Sequence, residues 1–155
     1  MRIDIPSGES LDIQNIVFDY NGTIAMDGKL IEKVSENINE LSSEFNFYVI
    51  TADTYGTVQK ELENTNCEVI VIGKEKQDIC KLEFVKSLDS KTVLSAGNGR
   101  NDKLMLKQSA LGIAILQEEG LCTQTLLNSD IVVNSILDIF GFLKDTNRLI
   151  ATLRN

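Results

Sequence analysis

Short apolar runs alternate along the chain with stretches in which apolar residues recur every three or four positions. The runs predict strands buried on both faces, and the spaced residues predict amphipathic helices. From the first long run onward the order is strand, helix, strand, which indicates a mostly parallel sheet in a three-layer α/β/α sandwich. The strands of this sheet are predicted at residues 16–19, 47–50, 68–73, 92–96, 112–116 and 130–133.

Helices are predicted in the segments between these strands. The strongest pattern places apolar residues at 31, 34, 38, 41 and 45. A second helix is indicated by four residues whose spacing puts them on one face, namely Ile79, Leu82, Val85 and Leu88. Further helical segments are predicted at 58–62, shortly after residue 102, at 121–127 and at the C-terminus.

Two turn signals lie outside this alternation. Apolar residues alternate on both sides of Pro6-Ser7-Gly8, which predicts an N-terminal hairpin over residues 1–14, placed as an appendage at an edge. Asp27-Gly28 predicts a second, smaller hairpin from Ile24 to Leu30. This second hairpin would form a flap over the end of the first strand of the sheet.

The composition indicates one soluble globular domain spanning residues 1–155, with 43% hydrophobic and 25% charged residues. A net charge of −8 argues against binding to nucleic acid or to an anionic membrane, because both would require a basic surface. No apolar run approaches the roughly 18 residues that span a bilayer, and the N-terminus lacks the apolar core of a signal peptide. We therefore expect a cytoplasmic protein without membrane insertion.

The chain contains three cysteines and no histidine. Cys67, Cys80 and Cys122 are far apart and form no Cys-x-x-Cys pair, so we expect them to be reduced and buried rather than to bind zinc. Without histidine, any acid or base of a reaction must be Asp, Glu, Lys or Tyr.

Polar side chains follow three of the predicted strands, at the edge of a parallel sheet where ligands bind. The first group begins at Asp19 and contains Asn21 and Thr23; the second is Thr51-Ala52-Asp53; the third is the loop from Gly97 to Asp102. Considered alone, Asp19 could equally serve as a cap for the turn at Asn21-Gly22. Three groups at neighbouring strand ends favour a functional site instead.

Together these motifs resemble those of the haloacid dehalogenase (HAD) superfamily. The run from Asp19 to Thr23 is similar to the first motif, Asp-x-Asp-x-Thr, and Thr51 to the second. Lys81 is the best match for the lysine of the third motif, although Lys74, Lys76 and Lys86 lie nearby. The loop 97–102 resembles the acidic fourth motif.

The details are most similar to the phosphorylation domain of P-type ATPases. Thr51-Ala52-Asp53 resembles the Thr-Gly-Asp of those pumps, and the loop 97–102 resembles their Gly-Asp-Gly-x-Asn-Asp. The chain therefore resembles the soluble P-type ATPase-like proteins, free-standing relatives of that domain. The resemblance implies a Rossmann-like sheet with strand order 5-4-1-2-3. The short segments after the first and third strands imply that there is no large cap domain.

The resemblance also implies a role for each matched residue. Asp19 would be the nucleophile that forms an aspartyl-phosphate, and Asn21 occupies the position of the family's general acid. A phosphate would be bound by Thr51, Ala52, Lys81 and Asn101. A Mg²⁺ cofactor would be held by Asp19, the backbone carbonyl of Asn21, Asn98 and Asp102, which could act directly or through water.

Two positions depart from the family pattern. Asn21 replaces the usual acidic residue and cannot donate a proton at neutral pH, and Asn98 replaces a carboxylate that usually binds the metal. We therefore predict a weak or slow Mg²⁺-dependent phosphohydrolase acting on a phosphorylated small molecule or phosphoprotein. The alternative is a non-catalytic or regulatory module that binds phosphate or a partner. The sequence leaves the substrate and a homo-oligomeric state open.

Overall fold

Ten strands and seven helices make up the computed structural model, which describes residues 1–6, 8, 10–53 and 56–154. The strands are β1 (Arg2–Ile3), β2 (Leu11–Asp12), β3 (Asn15–Asp19), β4 (Ala25–Met26), β5 (Lys29–Leu30), β6 (Asn46–Thr51), β7 (Glu68–Val71), β8 (Val93–Gly97), β9 (Leu111–Ile115) and β10 (Ile131–Val133). The helices are α1 (Val34–Leu41), α2 (Thr57–Glu61), α3 (Gln77–Ser87), α4 (Lys103–Gln108), α5 (Thr123–Leu126), α6 (Ile136–Lys144) and α7 (Thr146–Leu153).

Six of the strands form the central sheet, in the order β10-β9-β8-β3-β6-β7, and every neighbouring pair is parallel. This confirms the predicted α/β class and the predicted order of the first five strands, with the sixth strand added at one edge. β3 lies between β8 and β6. After β3 the chain adds β6 and β7 on one side of this strand and then returns to add β8, β9 and β10 on the other side. Ligand sites of parallel sheets form at such switch points.

The sheet is covered on both faces, which completes the three layers. Ile16 and Phe18 of β3 pack into the same core as α1 and α6. Val17, between them, packs into a second core with Val85 of α3 and Met105 of α4. Alternate residues of β3 thus face opposite layers, as the pleat of a strand requires, and all three are fully buried.

The N-terminal hairpin is built into the core. β1 and β2 pair antiparallel with Ile3 opposite Leu11, while residue 7 of the predicted turn and residue 9 after it lie outside the described residues. Ile3 and Ile13 are buried in the main core, and the amide of Gln14 donates to the carbonyl of Thr92 just before β8. The hairpin is a separate two-stranded sheet whose apolar side chains pack into the main core.

The predicted flap is present as β4 and β5, which pair antiparallel. Asp27 and Gly28 at its tip both have positive φ, at 50° and 77°, as a type I′ hairpin turn requires. The segment between β3 and β6 contains only this flap and α1, and the turn between β7 and α3 is short. The described chain accordingly has no large cap domain, as predicted.

Helix α3 is present as predicted and buries a charged residue. Of the four apolar residues that predicted it, Ile79 has 45% of its surface exposed, whereas Lys81 is only 1% exposed. The helix is turned so that Lys81 and Val85 face the sheet. The period of apolar residues could not show this, because the residue that determines the orientation is charged.

The three cysteines are free, and each is half-buried rather than buried as expected. Among the described residues, no helix is both long enough and apolar enough to cross a bilayer.

A close contact between α4 and β9 gives a test of the packing. A Cβ at Gly112 would lie 2.3 Å from the backbone carbonyl oxygen of Leu106, which cannot move without shifting α4. We expect Gly112→Ala to lower the free energy of unfolding by about 1–3 kcal/mol, the usual penalty of overpacking. Urea denaturation measures this effect.

Gly73→Ala is the matched control, because a Cβ there would contact nothing within 4 Å. It should change stability by less than about 0.5 kcal/mol. Equal stability of the two variants would contradict the close approach of α4 to β9.

Candidate active site

Three titratable side chains meet beneath the carboxyl end of β3. The ammonium of Lys81 donates to Asp19 Oδ1 at 2.5 Å and to Asp102 Oδ1 at 2.6 Å. Lys81 and Asp102 are 1% and 0% exposed, while Asp19 keeps 14% of its side chain accessible. Asp19 is therefore the member of this cluster that reaches solvent, and the other two lie below it.

The pKa values of the buried pair follow from this arrangement. Burial opposes the charge of Lys81, but the charges of Asp19 and Asp102 outweigh it and raise the lysine pKa above its usual value. Burial and the negative charge of Asp19 raise the pKa of Asp102 to about 7, against the opposing effect of Lys81. Lys81 is thus a permanent cation, and its two carboxylate partners compensate its loss of hydration.

The loop that follows β8 holds Asp102 in place. Asp102 Oδ2 accepts from the amide of Gly99 at 2.8 Å, and a Cβ at Gly97 would lie 2.4 Å from the Asp102 carboxyl carbon. Both oxygens of Asp102 therefore face protein donors. Asp102 therefore orients Lys81, and its predicted role toward a metal, directly or through water, stays a prediction.

The turn after Asp19 is held from two sides. Gly22 has φ 76°, and a Cβ there would lie 2.2 Å from Asn98 Nδ2, so the turn is packed directly against that amide. On the other side, Gln117 Nε2 donates to the carbonyls of Gly22 and Thr23 at 3.2 and 3.0 Å. Gln117 Oε1 in turn accepts from the amide of Ile136 at the start of α6. Sequence analysis missed Gln117 because a lone glutamine after a strand carries no motif.

Both polar atoms of the Asn98 side-chain amide form hydrogen bonds. Its Oδ1 accepts from Thr23 Oγ1 at 3.4 Å, and its Nδ2 donates to the carbonyl of Gly120 at 2.9 Å. A carboxylate could not make the second bond, since it has no hydrogen to donate. The asparagine thus has a structural role in addition to any contact with a metal.

A cleft of about 590 Å³ opens above Asp19. Its described lining residues come from strand ends, the flap and nearby loops: Asp19, Tyr20, Asn21, Gly28, Thr51, Ala52, Asp53, Thr57, Val58, Gln77, Asn98, Gly99, Asn101 and Glu119. The predicted residues Asp19, Asn21, Thr51, Ala52, Asn98 and Asn101 therefore share one cleft, with Lys81 and Asp102 below its floor.

Two predicted phosphate ligands have neighbours that position them. Thr51 Oγ1 accepts from the amide of Asp53 at 3.1 Å, which fixes the turn after β6. Asn101 Nδ2 donates to Gln77 Oε1 at 2.7 Å, one helical turn before Lys81. Gln77 was not predicted, although its spacing of four residues from Lys81 places both on one face of α3.

Tyr20 also lines the cleft without having been singled out from the sequence. Its hydroxyl donates to the carbonyl of Gly28 at 3.1 Å and so links the flap to β3. Burial, with smaller contributions from Glu61 and Asp53, raises the pKa of Tyr20 to about 12. The phenol therefore stays protonated at neutral pH and cannot serve as a base there.

Lys81 is the lysine of this region that reaches the site. Lys86 pairs with Glu83 on the exposed face of α3 at 2.9 Å, and Lys74 and Lys76 are exposed. Lys81 is buried and bonds Asp19, and it stays the best candidate for the third motif.

The oxygen atoms around Asp19 are of the kind that Mg²⁺ prefers. Asp19 would supply a carboxylate, Asn98 an amide oxygen and Asn21 a backbone carbonyl. No cluster of three or more acidic or cysteine side chains suited to a metal is found in the described part of the chain. Mg²⁺ commonly uses one or two carboxylates and completes its shell with water and phosphate, so a set with few carboxylates is compatible with this ion.

Comparison with known proteins identifies two relatives, both from Methanocaldococcus jannaschii. The uncharacterized protein MJ0073 is 42% identical over 87 residues, which cover 54% of this chain and 91% of MJ0073. The uncharacterized protein MJ0072 is 46% identical over 39 residues, covering 25% of this chain and 89% of MJ0072. The chain belongs to the same family as MJ0073. No family model matches it.

Solved structures share the fold at low sequence identity. The 3-deoxy-D-manno-octulosonate 8-phosphate phosphatase of Moraxella catarrhalis, in complex with magnesium, phosphate and KDO, has a TM-score of 0.71 at 15% identity, covering 90% of this chain and 92% of its own. The cobalt-bound Haemophilus influenzae enzyme YrbI has a TM-score of 0.72 at 9% identity, covering 92% of this chain and 93% of its own. A phosphoserine phosphatase has a TM-score of 0.66 at 15% identity, covering 86% of this chain and 99% of its own. The fold is therefore that of HAD-superfamily phosphatases.

Removing the cation of the buried ion pair should strongly lower the stability of the fold. Lys81→Met would leave the buried Asp102 without its ammonium partner, and we expect a loss of about 3–5 kcal/mol in the free energy of unfolding. Lys86→Met on the same helix, which removes only an exposed pair, should cost less than about 1 kcal/mol. Both are measured by urea denaturation at neutral pH.

Adding Asp102→Asn to Lys81→Met removes the uncompensated charge and should restore part of the lost stability. A double variant less stable than Lys81→Met would show that the lysine does not compensate Asp102.

Proposed function

We propose that the protein is a Mg²⁺-dependent phosphohydrolase that works through an aspartyl-phosphate on Asp19. The observation that carries this proposal is the state of Asp19. One of its oxygens is held by the buried Lys81, and the side chain stays accessible at the floor of a cleft. A carboxylate oriented by a neighbouring cation and open to a ligand is what nucleophilic attack on phosphorus requires.

In this proposal Asp19 attacks the phosphate, and other residues of the cleft stabilise the phosphoryl group during its transfer. An oxygen of Asp19 attacks phosphorus while the bond to the leaving oxygen breaks, and the electron pair departs with that oxygen. Lys81 neutralises charge beside the reacting group, and the Thr51 hydroxyl, the amide of Ala52 and the Asn101 side chain would hold the phosphoryl oxygens. A bound Mg²⁺ would reduce the repulsion between the carboxylate and the phosphate. Water then hydrolyses the acyl-phosphate and frees Asp19.

The free-standing, P-type ATPase-like subtype is part of the same proposal. It is supported by Asn21 in the position of the general acid and by the Thr51-Ala52-Asp53 turn. Without an acid to protonate the leaving oxygen, the enzyme should be slow and should prefer acyl or aryl phosphates over alkyl phosphates. We propose that it acts in the cytoplasm on a phosphorylated small molecule or phosphoprotein.

A second candidate function is a module that binds phosphate or a partner without turnover. It is favoured by Asn98, whose amide bonds Thr23 and Gly120 at a position where a catalytic site would profit from a carboxylate. This candidate predicts phosphate binding with no hydrolysis, so activity measurements separate the two.

Replacing the nucleophile tests the mechanism directly. Asp19→Asn should abolish Mg²⁺-dependent hydrolysis of an aryl phosphate, because an amide oxygen cannot form the acyl-phosphate. The measurement is release of the aryl alcohol with Mg²⁺ and with excess chelator. Mass spectrometry of acid-quenched wild type should show phosphate on Asp19, which the variant should lack.

Asp4→Asn serves as the control, since Asp4 lies in the N-terminal hairpin and its exposed carboxylate pairs with Arg2 on the surface. It should retain wild-type activity. Equal rates for the Asp19 variant and wild type would contradict the enzymatic proposal.

The neutral residue at the acid position predicts a gain of function. Asn21 is exposed and nearly isosteric with aspartate, so Asn21→Asp should leave the turn intact. General acid and base catalysis is worth about 10² to 10⁴ in rate, and we expect at least a roughly tenfold rise in kcat on alkyl phosphates. Aryl phosphates, whose leaving groups need less protonation, should gain less. A folded Asn21→Asp variant that gains nothing on any phosphomonoester would favour the binding module.

A further inference from the structure

The side chain of Gln117 joins the turn after the nucleophile to the start of helix α6. Gln117 lies just after β9 and is half-buried. Its Nε2 donates to the carbonyls of Gly22 and Thr23 at 3.2 and 3.0 Å, and its Oε1 accepts from the amide of Ile136 at 3.0 Å. Because a carbonyl can only accept and an amide N–H can only donate, these partners fix the direction in which the Gln117 amide points.

The partner of Gln117 on the α6 side belongs to a helix that is fixed in the core. Ile136 is the first residue of α6 and is fully buried. Further along the same helix, Ile139 and Phe140 pack into the main core. The turn after Asp19 is therefore tied, through one side chain, to an element whose position is set by packing.

The hydrogen bonds of the turn orient the backbone carbonyl of Asn21. The amide of Gly22 donates to the carbonyl of Ala25 at 2.8 Å, and the peptide bond between Asn21 and Gly22 is trans. In a planar trans peptide the carbonyl points opposite to the N–H, so the Asn21 carbonyl points away from Ala25. Gln117 holds the next peptide group through the carbonyl of Gly22.

A turn at this position benefits from such outside support. Gly22 has φ 76°, and glycine has the greatest backbone freedom of all residues, which must be lost when the turn is ordered. The bonds from Gln117 restrict that freedom at the residue next to Asn21. They therefore limit the directions that the Asn21 carbonyl can take.

We infer that Gln117 is a positioning residue, which holds the turn so that the Asn21 carbonyl stays oriented for Mg²⁺ and thereby sets the affinity of the site for this ion. The inference rests on the proposed function, since it takes that carbonyl as a metal ligand. Gln117 is not among the described residues that line the cleft, so it acts on a ligand through the turn. Replacing residues that orient metal ligands typically weakens metal binding by about 10- to 100-fold.

Removing the amide of Gln117 tests this role. Gln117→Met keeps an unbranched side chain of similar length and loses both the donor and the acceptor of the amide. Calorimetric titration of the metal-free protein with Mg²⁺ alone should show a roughly tenfold rise in Kd. The Mg²⁺ concentration that gives half-maximal hydrolysis of 4-nitrophenyl phosphate should rise by the same factor, and saturating Mg²⁺ should restore most of kcat.

Gln117→Glu separates the two ends of the bridge. Its carboxylate can still accept from the amide of Ile136 but has no hydrogen to donate to the turn. The measurement is hydrogen exchange of the metal-free protein over residues 20–25, where the amides of Gly22, Thr23 and Ala25 are bonded within the turn. Exchange there should be about tenfold faster in both Gln117 variants than in wild type.

Ser135→Ala is the matched control, because it weakens the start of α6 without removing a bond of Gln117. The Ser135 hydroxyl oxygen accepts from the amide of Leu137 at 3.1 Å and caps the helix. Its loss should lower the urea midpoint of unfolding, as loss of a helix cap does. The Kd for Mg²⁺ and the exchange over residues 20–25 should stay at their wild-type values.

Unchanged Mg²⁺ affinity in Gln117→Met, an equal change in Ser135→Ala, or no Mg²⁺ binding by wild type would overturn the inference. If Gln117→Met does not fold, wild-type exchange over residues 20–25 in Gln117→Glu would overturn it. Unchanged Mg²⁺ affinity together with hydrolysis by wild type would leave the phosphohydrolase proposal standing. Tenfold weaker Mg²⁺ binding in Gln117→Met, with no hydrolysis by wild type at any Mg²⁺ concentration, would support the inference and overturn the phosphohydrolase.

Discussion

A single buried ammonium sets the arrangement of the whole site. Lys81 is almost fully enclosed, so it can stay charged only because Asp19 and Asp102 both contact it. That requirement turns α3 toward the sheet at the expense of Ile79, which is left partly exposed. The sheet already places the end of β3 beside the end of β8, and Lys81 bonds one carboxylate from each side. The orientation of α3 thus follows from one unfavourable burial and its compensation.

Much of the fold follows from local patterns that the sequence displays directly. The uninterrupted run at Ile16–Phe18 fits a strand buried on both faces, and Asp27-Gly28 fits a tight hairpin turn, and both are present. Alternation predicts the N-terminal hairpin, but it shows which residues are apolar and not which surface they cover. The burial of Lys81 on α3 could not follow from the period of apolar residues, because it depends on partners far away in the chain.

The site was predictable where residue types form motifs and unpredictable where single side chains bridge segments. Asp19, Thr51 and Lys81 could be grouped because polar residues at the carboxyl ends of adjacent parallel strands must lie near one another. Nothing in the chain marks Glu119, which reaches the cleft through a loop and bonds the flap. Asn98 was expected to weaken the site by its neutrality. The structure shows a further role: the Asn98 amide donates to the carbonyl of Gly120 and so supports the neighbouring loop.

The position of Gln117 makes the site late to form as the chain is synthesised. Asp19, Thr51 and Lys81 all leave the ribosome well before Gln117, yet the turn after Asp19 is held by the side chain of that glutamine. Gln117 is itself oriented by the amide of Ile136, which emerges later still. A nascent chain can therefore contain every motif residue and still lack the glutamine that holds the turn after Asp19. The geometry around Asp19 is thereby coupled to the completion of the last strand and the helix that follows it.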